Sequence, residues 1–290
     1  MSRDGATWIG FVAILLWSLL AALTVGSGQV PPFQLAAMTF AVGGAVGALA
    51  ALARRSDPRA FQQPAPVWAL GVGGLFGYHA LYFAALRLSP PAEAGLINYL
   101  WPLLIVLFSA FLPGERLRPL HVGGALLGFA GVALLIAGRG GLHVQAGHLP
   151  GYLCAFAAAF VWAGYSVLSR RFGAVPTDAV AGFCLATALL SLLCHLAFER
   201  TVWPAGTQWF AVAGLGIGPV GAAFYVWDIG VKRGDIRLLG VISYAAPVLS
   251  TLVLVAAGFA EPSLSLGIAC ALIVLGAVTA GFASRRGIGA

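Results

Sequence analysis

Charged residues are scarce in this sequence. They make up 9% of its 290 residues, whereas 60% of the residues are hydrophobic and the mean hydropathy is +0.95. A soluble domain carries about 25% charged residues, so this composition excludes a water-soluble globular protein. It also excludes a disordered chain and a nucleic-acid-binding domain, despite the net charge of +7.

Residues for catalysis or metal binding are scarce as well. The four cysteines lie in apolar stretches without a Cys-x-x-Cys pair, so neither a disulfide framework nor a zinc site is expected. Asp228 and His79 lie deep in different apolar stretches, whereas an intramembrane enzyme needs paired carboxylates, a zinc helix or a Ser–His arrangement. A channel needs rings of repeated ligands, which are not seen. The sequence therefore disfavours an enzyme and a channel, and it predicts no catalytic residue, cofactor or metal.

The few charges divide the chain into long apolar stretches. About 20 apolar residues cross the hydrocarbon core of a bilayer, and nine charge-free stretches are at least that long. The first stretch, 5–53, contains Gly26, Gly28 and the Pro31-Pro32 pair and therefore holds two helices. The predicted fold is an all-α polytopic membrane protein with ten transmembrane helices in the lipid bilayer. The predicted spans are 6–26, 32–53, 67–87, 92–112, 119–137, 149–169, 178–198, 210–232, 237–259 and 264–283.

The basic residues predict the orientation of the chain. Ten crossings put both termini on the same side of the membrane. If that side is the cytoplasm, thirteen of the 16 basic residues face it, and only Arg87, Arg139 and Arg200 face outward. Cytoplasmic loops are enriched in Lys and Arg, so cytoplasmic termini are expected. Residues 1–23 resemble a signal peptide in their short charged start and apolar core. This interpretation is disfavoured because the same segment has a counterpart later in the chain.

The two halves of the sequence align when one is shifted by about 145 residues. Each half carries five spans, an odd number, so the second half is inverted relative to the first. We therefore predict two inverted five-helix repeats, over 1–140 and 141–290. Inverted repeats are typical of transporters that bind their substrate near the bilayer midplane between the repeats. The aligned positions are Trp17 with Trp162, Pro31 with Pro176, 98–102 with 243–247, Glu115 with Glu261, and, with a gap of two residues, Tyr82 with Tyr225.

This repeat pattern, with a proline in the middle of the fourth and ninth spans, resembles the drug/metabolite transporter superfamily and, more narrowly, its EamA-type exporters. The motifs Trp17-Ser18, Tyr78-His79 and 98–102 are similar to those of the YddG group of aromatic amino acid exporters. The resemblance implies a multi-pass exporter of the bacterial cytoplasmic (inner) membrane. Many EamA-type proteins carry an arginine in the second helix, several residues after the proline. This chain has Ala37-Met38-Thr39-Phe40 there, so a substrate-anchoring role of such an arginine is not transferred.

Polar and aromatic residues at mid-depth are the candidates for substrate binding. A hydroxyl or indole N–H in the hydrocarbon region needs a partner in the protein, in water or in a substrate. Tyr78 and Tyr82 share one helix face, with His79 beside them, and Pro102 frees a backbone carbonyl and permits a kink. Helix-packing aromatics are the alternative interpretation of this set. The candidate site residues are Trp17, Tyr78, His79, Tyr82, Asn98, Tyr99, Trp101, Pro102, Trp162 and Tyr244.

The titratable residues in the spans leave several alternatives open. His79 is either a functional group or a neutral imidazole bonded between helices. Asp228 is expected to pair with Lys232 at i+4 rather than to couple transport to an ion, and Glu93 faces either a vestibule or water. Four further histidines lie near helix ends or in loops and are expected to be solvated: His121, His143, His148 and His195.

Small residues four apart predict close approaches between helices. The fifth and tenth spans offer little substrate chemistry, so they are expected to form scaffold or dimer contacts in a monomer or a homodimer. The pairs are Gly43 with Gly47, Gly73 with Gly77, Gly124 with Gly128, and Gly276 with Ala280.

These observations and the resemblance together predict an alternating-access exporter of neutral, aromatic and other apolar amino acids. Aromatic side chains would hold the apolar part of the substrate, while Asn98, His79 and kink carbonyls would meet its polar ends. The absence of an acidic residue within the apolar part of the first span disfavours export of lipophilic cations. The alternative on the same fold is an exporter of another small neutral metabolite or drug.

Overall fold

Ten long helices make up the fold. The computed structural model describes residues 1–138, 145–256, 261 and 263–285, and ten helices in these residues are long and apolar enough to cross a membrane. The predicted all-α fold with ten transmembrane helices is confirmed. The helices are α1 (Arg3–Gly26), α2 (Pro32–Ala53), α3 (Ala65–Leu88), α4 (Pro91–Phe111), α5 (Pro119–Ala137), α6 (Ala146–Arg171), α7 (Ala179–Phe198), α8 (Gln208–Arg233), α9 (Ile236–Ala256) and α10 (Leu264–Ser284).

A few sequence predictions concern residues outside the described ranges. These are 257–259 of the predicted ninth span, Arg139, His143 and Arg286.

Local sequence signals mark where the helices begin. Prolines occupy the first turns of α2, α4 and α5, where a backbone N–H is not needed. The hydroxyl of Ser2 accepts the backbone N–H of Gly5 at the start of α1, and the carboxylate of Asp235 accepts two backbone N–H groups at the start of α9. These caps satisfy donors that have no partner within their own helix.

Irregularities in the helices recur at equivalent positions of the two halves. A π-helical segment interrupts α3 at Gly73–Gly77 and α8 at Gly218–Ala222, a shift of 145 residues. Turns at 99–100 and 243–244 interrupt α4 and α9 a few residues before their prolines. The predicted kinks are therefore present. With five helices in each half, the halves are inverted repeats.

The alignment of α3 with its equivalent helix α8 differs from the predicted alignment at one pair of residues. Both π segments contain five residues, so the shift of 145 continues without a gap to Arg87 and Lys232 in the last turns of these helices. The predicted match of Tyr82 with Tyr225 is therefore wrong. Tyr82 corresponds to Trp227.

Glycines bring particular helices together. A Cβ atom on Gly124 of α5 would lie 2.6 Å from the carbonyl oxygen of Gly276 on α10, so these two helices pack backbone to backbone as a scaffold pair. A Cβ atom on Gly73 would have no neighbour within 4 Å, and one on Gly77 would meet only Val161, at 3.7 Å. The predicted close approach at Gly73 and Gly77 is wrong, because these glycines bound the π segment of α3 instead.

A buried carboxylate joins several helices at the membrane face where Arg3 lies, which we call the N-terminal face. Glu115 follows α4, and its side chain is 5% exposed. It lies 3.1 Å from the guanidinium of Arg3, 2.8 Å from that of Arg170 and 3.0 Å from that of Arg237. We call these four residues together with Asp235 the Glu115 hub. The hub joins both halves of the chain at this face.

Asp235 contributes a second carboxylate to the hub. Burial favours the neutral form of this carboxyl, but the backbone N–H of Leu238 and the positive charges of Arg237 and Arg3 outweigh burial, so the pKa of Asp235 is lowered. The carboxylate lies 3.5 Å from both guanidinium groups. Asp235 is therefore ionised in the hub.

A second buried carboxylate lies at the other membrane face, which we call the opposite face. Glu199 follows α7 and accepts the backbone N–H groups of Phe33 and Gln34 at 3.1 Å. Its carboxylate also lies 3.1 Å from the guanidinium of Arg87 and 3.0 Å from Nδ1 of His195. This carboxylate thus caps α2 and holds it against α3 and α7.

Candidate substrate-binding site

Four tryptophans from four helices meet inside the bundle. Trp17, Trp101, Trp162 and Trp227 contact one another in every pairing, with ring centroids 5.1 to 6.3 Å apart. The indole N–H of Trp17 donates to the carbonyl oxygen of Pro219 at 3.0 Å. That carbonyl belongs to the π segment of α8, so the irregular helix supplies the partner that an indole in the membrane requires.

A polar group adjoins the tryptophans. The ring of Tyr78 lies 5.4 Å from that of Trp162 and stacks on that of Tyr82 at 6.0 Å. The amide Nδ2 of Asn98 donates to the hydroxyl of Tyr78 at 3.0 Å. The Oδ1 atom of Asn98 is buried and has no hydrogen-bond partner among the described residues. Leaving such an acceptor unsatisfied costs about 1–3 kcal/mol, so a bound molecule that donates to it gains this energy.

His79 lies on the other side of Tyr78 within a ring of aromatic side chains. Its Nδ1 is 2.7 Å from the carbonyl oxygen of Leu75. A carbonyl only accepts, so Nδ1 carries the proton, and Nε2 of a neutral ring is then an acceptor. Phe40 and Phe224 lie 5.0 and 6.3 Å from the imidazole. His79 as a whole residue is partly exposed although aromatic rings surround its side chain.

The structure thus brings seven of the ten candidate residues into one connected group and places three elsewhere. Tyr99 and Tyr244 belong to a separate hydrophobic cluster between α4, α5, α9 and α10. The hydroxyl of Tyr244 accepts the backbone N–H of Leu103 at 3.1 Å, one of the donors released by the turn in α4. Pro102 is buried, and a Cβ atom on Gly240 of α9 would lie 3.1 Å from its carbonyl oxygen. Tyr99, Pro102 and Tyr244 thus lie at or against the turn that interrupts α4.

The charged residues near the site are arranged as a structural pair. Lys232 lies 2.9 Å from Asp228, and Thr177 donates to the same carboxylate at 2.7 Å. The predicted pair is confirmed. Glu93 is 4% exposed, so the prediction that it faces a vestibule or water is wrong. Its position on the first turn of α4 places it inside the helix packing.

Two histidines predicted to be solvated are buried. His121 is 0% exposed because its Nδ1 accepts the backbone N–H of Arg118 and its Nε2 lies 3.3 Å from the hydroxyl of Ser284. His195 is 3% exposed because it lies between Glu199 and Thr201, 2.9 Å from the Thr201 hydroxyl. His148 is partly exposed. The contact of His121 with Ser284 joins two helices, whereas His195 bonds to residues just after its own helix. Hydropathy reveals neither kind of contact.

Exposure differs on the two sides of the aromatic group. Toward the N-terminal face, Trp227 and Val231 of α8 and Leu239 of α9 are 0% exposed. Toward the opposite face, Tyr82 and Leu86 of α3 are partly exposed. The residues on the N-terminal side of the aromatic group are therefore more deeply buried than those on the opposite side.

Comparison with known proteins decides the family. The EamA-like transporter family matches residues 5–137 and 149–282. The chain belongs to this family. The resemblance seen in the repeat and the motifs is thereby confirmed.

Relatives of this EamA-like protein cover its whole length. An aromatic amino acid exporter YddG from Ancylobacter novellus is 66% identical over 99% of this chain and 100% of its own length. The exporter of the same name from Escherichia coli is 27% identical over 99% of this chain and 100% of its own length. A solved crystal structure is 65% identical, covers 98% of this chain and 99% of its own, and has a TM-score of 0.96. With ten membrane helices and these bacterial relatives, the EamA-like chain is a multi-pass protein of the inner membrane.

Several aromatic residues of the site were not among the candidates. Phe40 and Phe224 stack at 5.5 Å with an interplanar angle of 10°, and Trp227 completes the tryptophan group. The equivalence of Tyr82 and Trp227 at a shift of 145 could have indicated Trp227. No local pattern distinguishes Phe40 or Phe224 from phenylalanines that face lipid, since both kinds occur in apolar helices.

Proposed function

We propose that this EamA-like transporter exports neutral amino acids, aromatic and other apolar ones, from the cytoplasm by alternating access. The names of the relatives support the substrate class. The observation that carries the proposal is the Oδ1 atom of Asn98, a buried acceptor without a described partner beside an aromatic group. The seven connected candidate residues include no acid, lysine or arginine, which favours a substrate without net charge.

The polar atoms of the site complement both ends of an amino acid. The substrate ammonium would donate to Oδ1 of Asn98. The hydroxyl of Tyr78 accepts from Asn98 and so retains its own proton for the substrate carboxylate. The indole N–H of Trp162, unlike that of Trp17, forms no hydrogen bond to a described residue and would be a second donor. The surrounding rings would bury the apolar side chain.

The transport cycle would move the two repeats, 1–140 and 141–290, against each other around this site. With both termini in the cytoplasm, thirteen of the 16 basic residues face the cytoplasm, as the positive-inside rule requires. The N-terminal face would then be the cytoplasmic one, and the transport cycle would expose the site to each face in turn.

The test is counterflow in proteoliposomes across the amino acids, with and without a pH gradient. We expect phenylalanine, tryptophan and other apolar amino acids to exchange, and aspartate and lysine to fail. A protein that exchanges no amino acid contradicts the proposal, and exchange of other neutral metabolites would then favour the alternative cargo.

A substitution tests the role of Asn98 in the same assay. Asn98→Ala removes the acceptor for the ammonium, and a hydrogen bond to a charged group contributes about 1.5–3 kcal/mol. The KM for counterflow should therefore rise about tenfold or more. The control is Thr279→Val on α10, where the exposed hydroxyl bonds only to its own helix. Equal KM values for Asn98→Ala and the control would contradict the assignment.

A further inference from the structure

An apolar groove lies on the outer surface between α4 and α6, away from the aromatic site. Its volume is about 340 Å³. Its lining includes Phe108, Phe111, Phe160, Gly164, Leu168 and Arg171. Phe111 is 73% exposed and Phe160 is 45% exposed, and both belong to membrane-spanning helices. The groove therefore faces the bilayer.

The groove extends across one leaflet. Phe160 and Arg171 are 11 residues apart on α6, which corresponds to about 16 Å along the helix axis. Half of the hydrocarbon core is about 15 Å thick. At its deep end, the rings of Phe108 and Phe160 are in contact at 4.9 Å. The groove thus matches the length and polarity of an acyl chain that starts at the membrane surface.

A cation lies at the surface end of the groove. Arg171 is the last residue of α6 and is exposed, and its guanidinium donates to the carbonyl oxygen of Phe111 at 3.0 Å. This hydrogen bond holds the guanidinium over the end of the groove. Arg171 forms no ion pair within the described ranges, whereas the neighbouring Arg170 pairs with Glu115. The remaining N–H groups of Arg171 suit the phosphate of a lipid headgroup.

We propose that this groove is a binding site for an anionic phospholipid of the leaflet at the N-terminal face. The headgroup phosphate binds Arg171, and one acyl chain lies along Leu168, Gly164 and Phe160. Gly164 provides the room, since a Cβ atom there would have no neighbour within 4 Å. This site is independent of the amino acid site.

The experiment is native mass spectrometry of the purified full chain with equal amounts of dioleoyl phosphatidylglycerol and dioleoyl phosphatidylcholine. We expect the wild type to retain phosphatidylglycerol about fivefold better, the effect of one basic residue at an anionic surface. Gly164→Leu fills the groove without weakening the helix, because glycine is a poor helix former, and should lose the lipid. Arg171→Gln should bind both lipids equally.

Matched controls separate the groove from general effects. Gly267→Leu makes the same change at an exposed position of α10 with open space around it, and Arg59→Gln removes one exposed charge elsewhere. Both should behave as the wild type. Gly164→Ala adds one methyl group and should fold and retain the lipid. Undiminished phosphatidylglycerol binding by Gly164→Leu, or an undiminished preference in Arg171→Gln, would overturn the proposal.

Discussion

The two ends of the helix bundle are built from equivalent positions of inverted repeats, yet they are held together differently. At the N-terminal face the Glu115 hub joins α1, α6 and α9 to the end of α4 through contacts of 2.8 to 3.1 Å. The equivalent positions at the opposite face include no comparable network, since two of them are apolar. At a shift of 145 residues these positions are Val25 for Arg170, Ala92 for Arg237 and His148 for Arg3, and Glu261 lies one residue beyond the position of Glu115.

The pair formed by α2 and α7 shows the contrasting arrangement. Arg54 and Asp178 join these helices at the N-terminal face, at 2.6 Å, and Glu199 joins them at the opposite face through the backbone of Phe33 and Gln34. A pair held at both ends keeps its contacts, whereas helices joined at one end only can separate at the other. Charge differences between otherwise similar repeats thus decide which helices are joined by ion pairs at each face.

The largest effect is expected where the hub is broken. Glu115→Gln leaves three guanidinium groups around a neutral side chain that is nearly buried. Removing one partner of a buried ion pair costs about 3–5 kcal/mol, so the free energy of unfolding should fall by that amount. Chemical unfolding of the purified protein in detergent measures it.

The acidic residue next to the equivalent position of the other repeat provides the control. Glu261 is exposed, and a surface substitution changes stability by about 0.5 kcal/mol or less, so Glu261→Gln should leave unfolding nearly unchanged. Similar losses for both substitutions would remove the difference between the two ends.

A smaller effect is expected at the opposite face. Glu199→Gln weakens hydrogen bonds to a charged acceptor, each worth about 1.5–3 kcal/mol, while Arg54 and Asp178 still hold the other end of α2 and α7. We expect a loss in the free energy of unfolding of about 2 kcal/mol. Arg54→Gln, in a pair where the arginine side chain is 61% exposed, should cost at most about 1 kcal/mol. If Glu199→Gln lowered the free energy of unfolding as much as Glu115→Gln does, the two faces would depend on their carboxylates equally.

Much of this architecture was predictable because charges and prolines mark helix ends locally. The ten spans, the inverted repeat and the Asp228–Lys232 pair follow from spacing alone. The side of a helix that faces the site does not, because adjacent residues point about 100° apart. Asn98 contacts Tyr78, whereas Tyr99 faces the cluster of Tyr244. Distant contacts between helices make that choice, and hydropathy carries no information about them.

The smallest effect is expected from acid acting on the hub. The pKa of Asp235 is lowered in the folded protein, so its ionised form stabilises the fold above its unfolded pKa of about 3.9, and this stabilisation is lost as the pH falls through the folded pKa. Asp235→Asn removes the titration but keeps a side chain that caps helices well. Between pH 5 and pH 3 the melting temperature of the wild type should therefore fall further than that of Asp235→Asn. A parallel fall in the melting temperatures of the wild type and Asp235→Asn would mean that the charge of Asp235 contributes nothing to the stability of the fold.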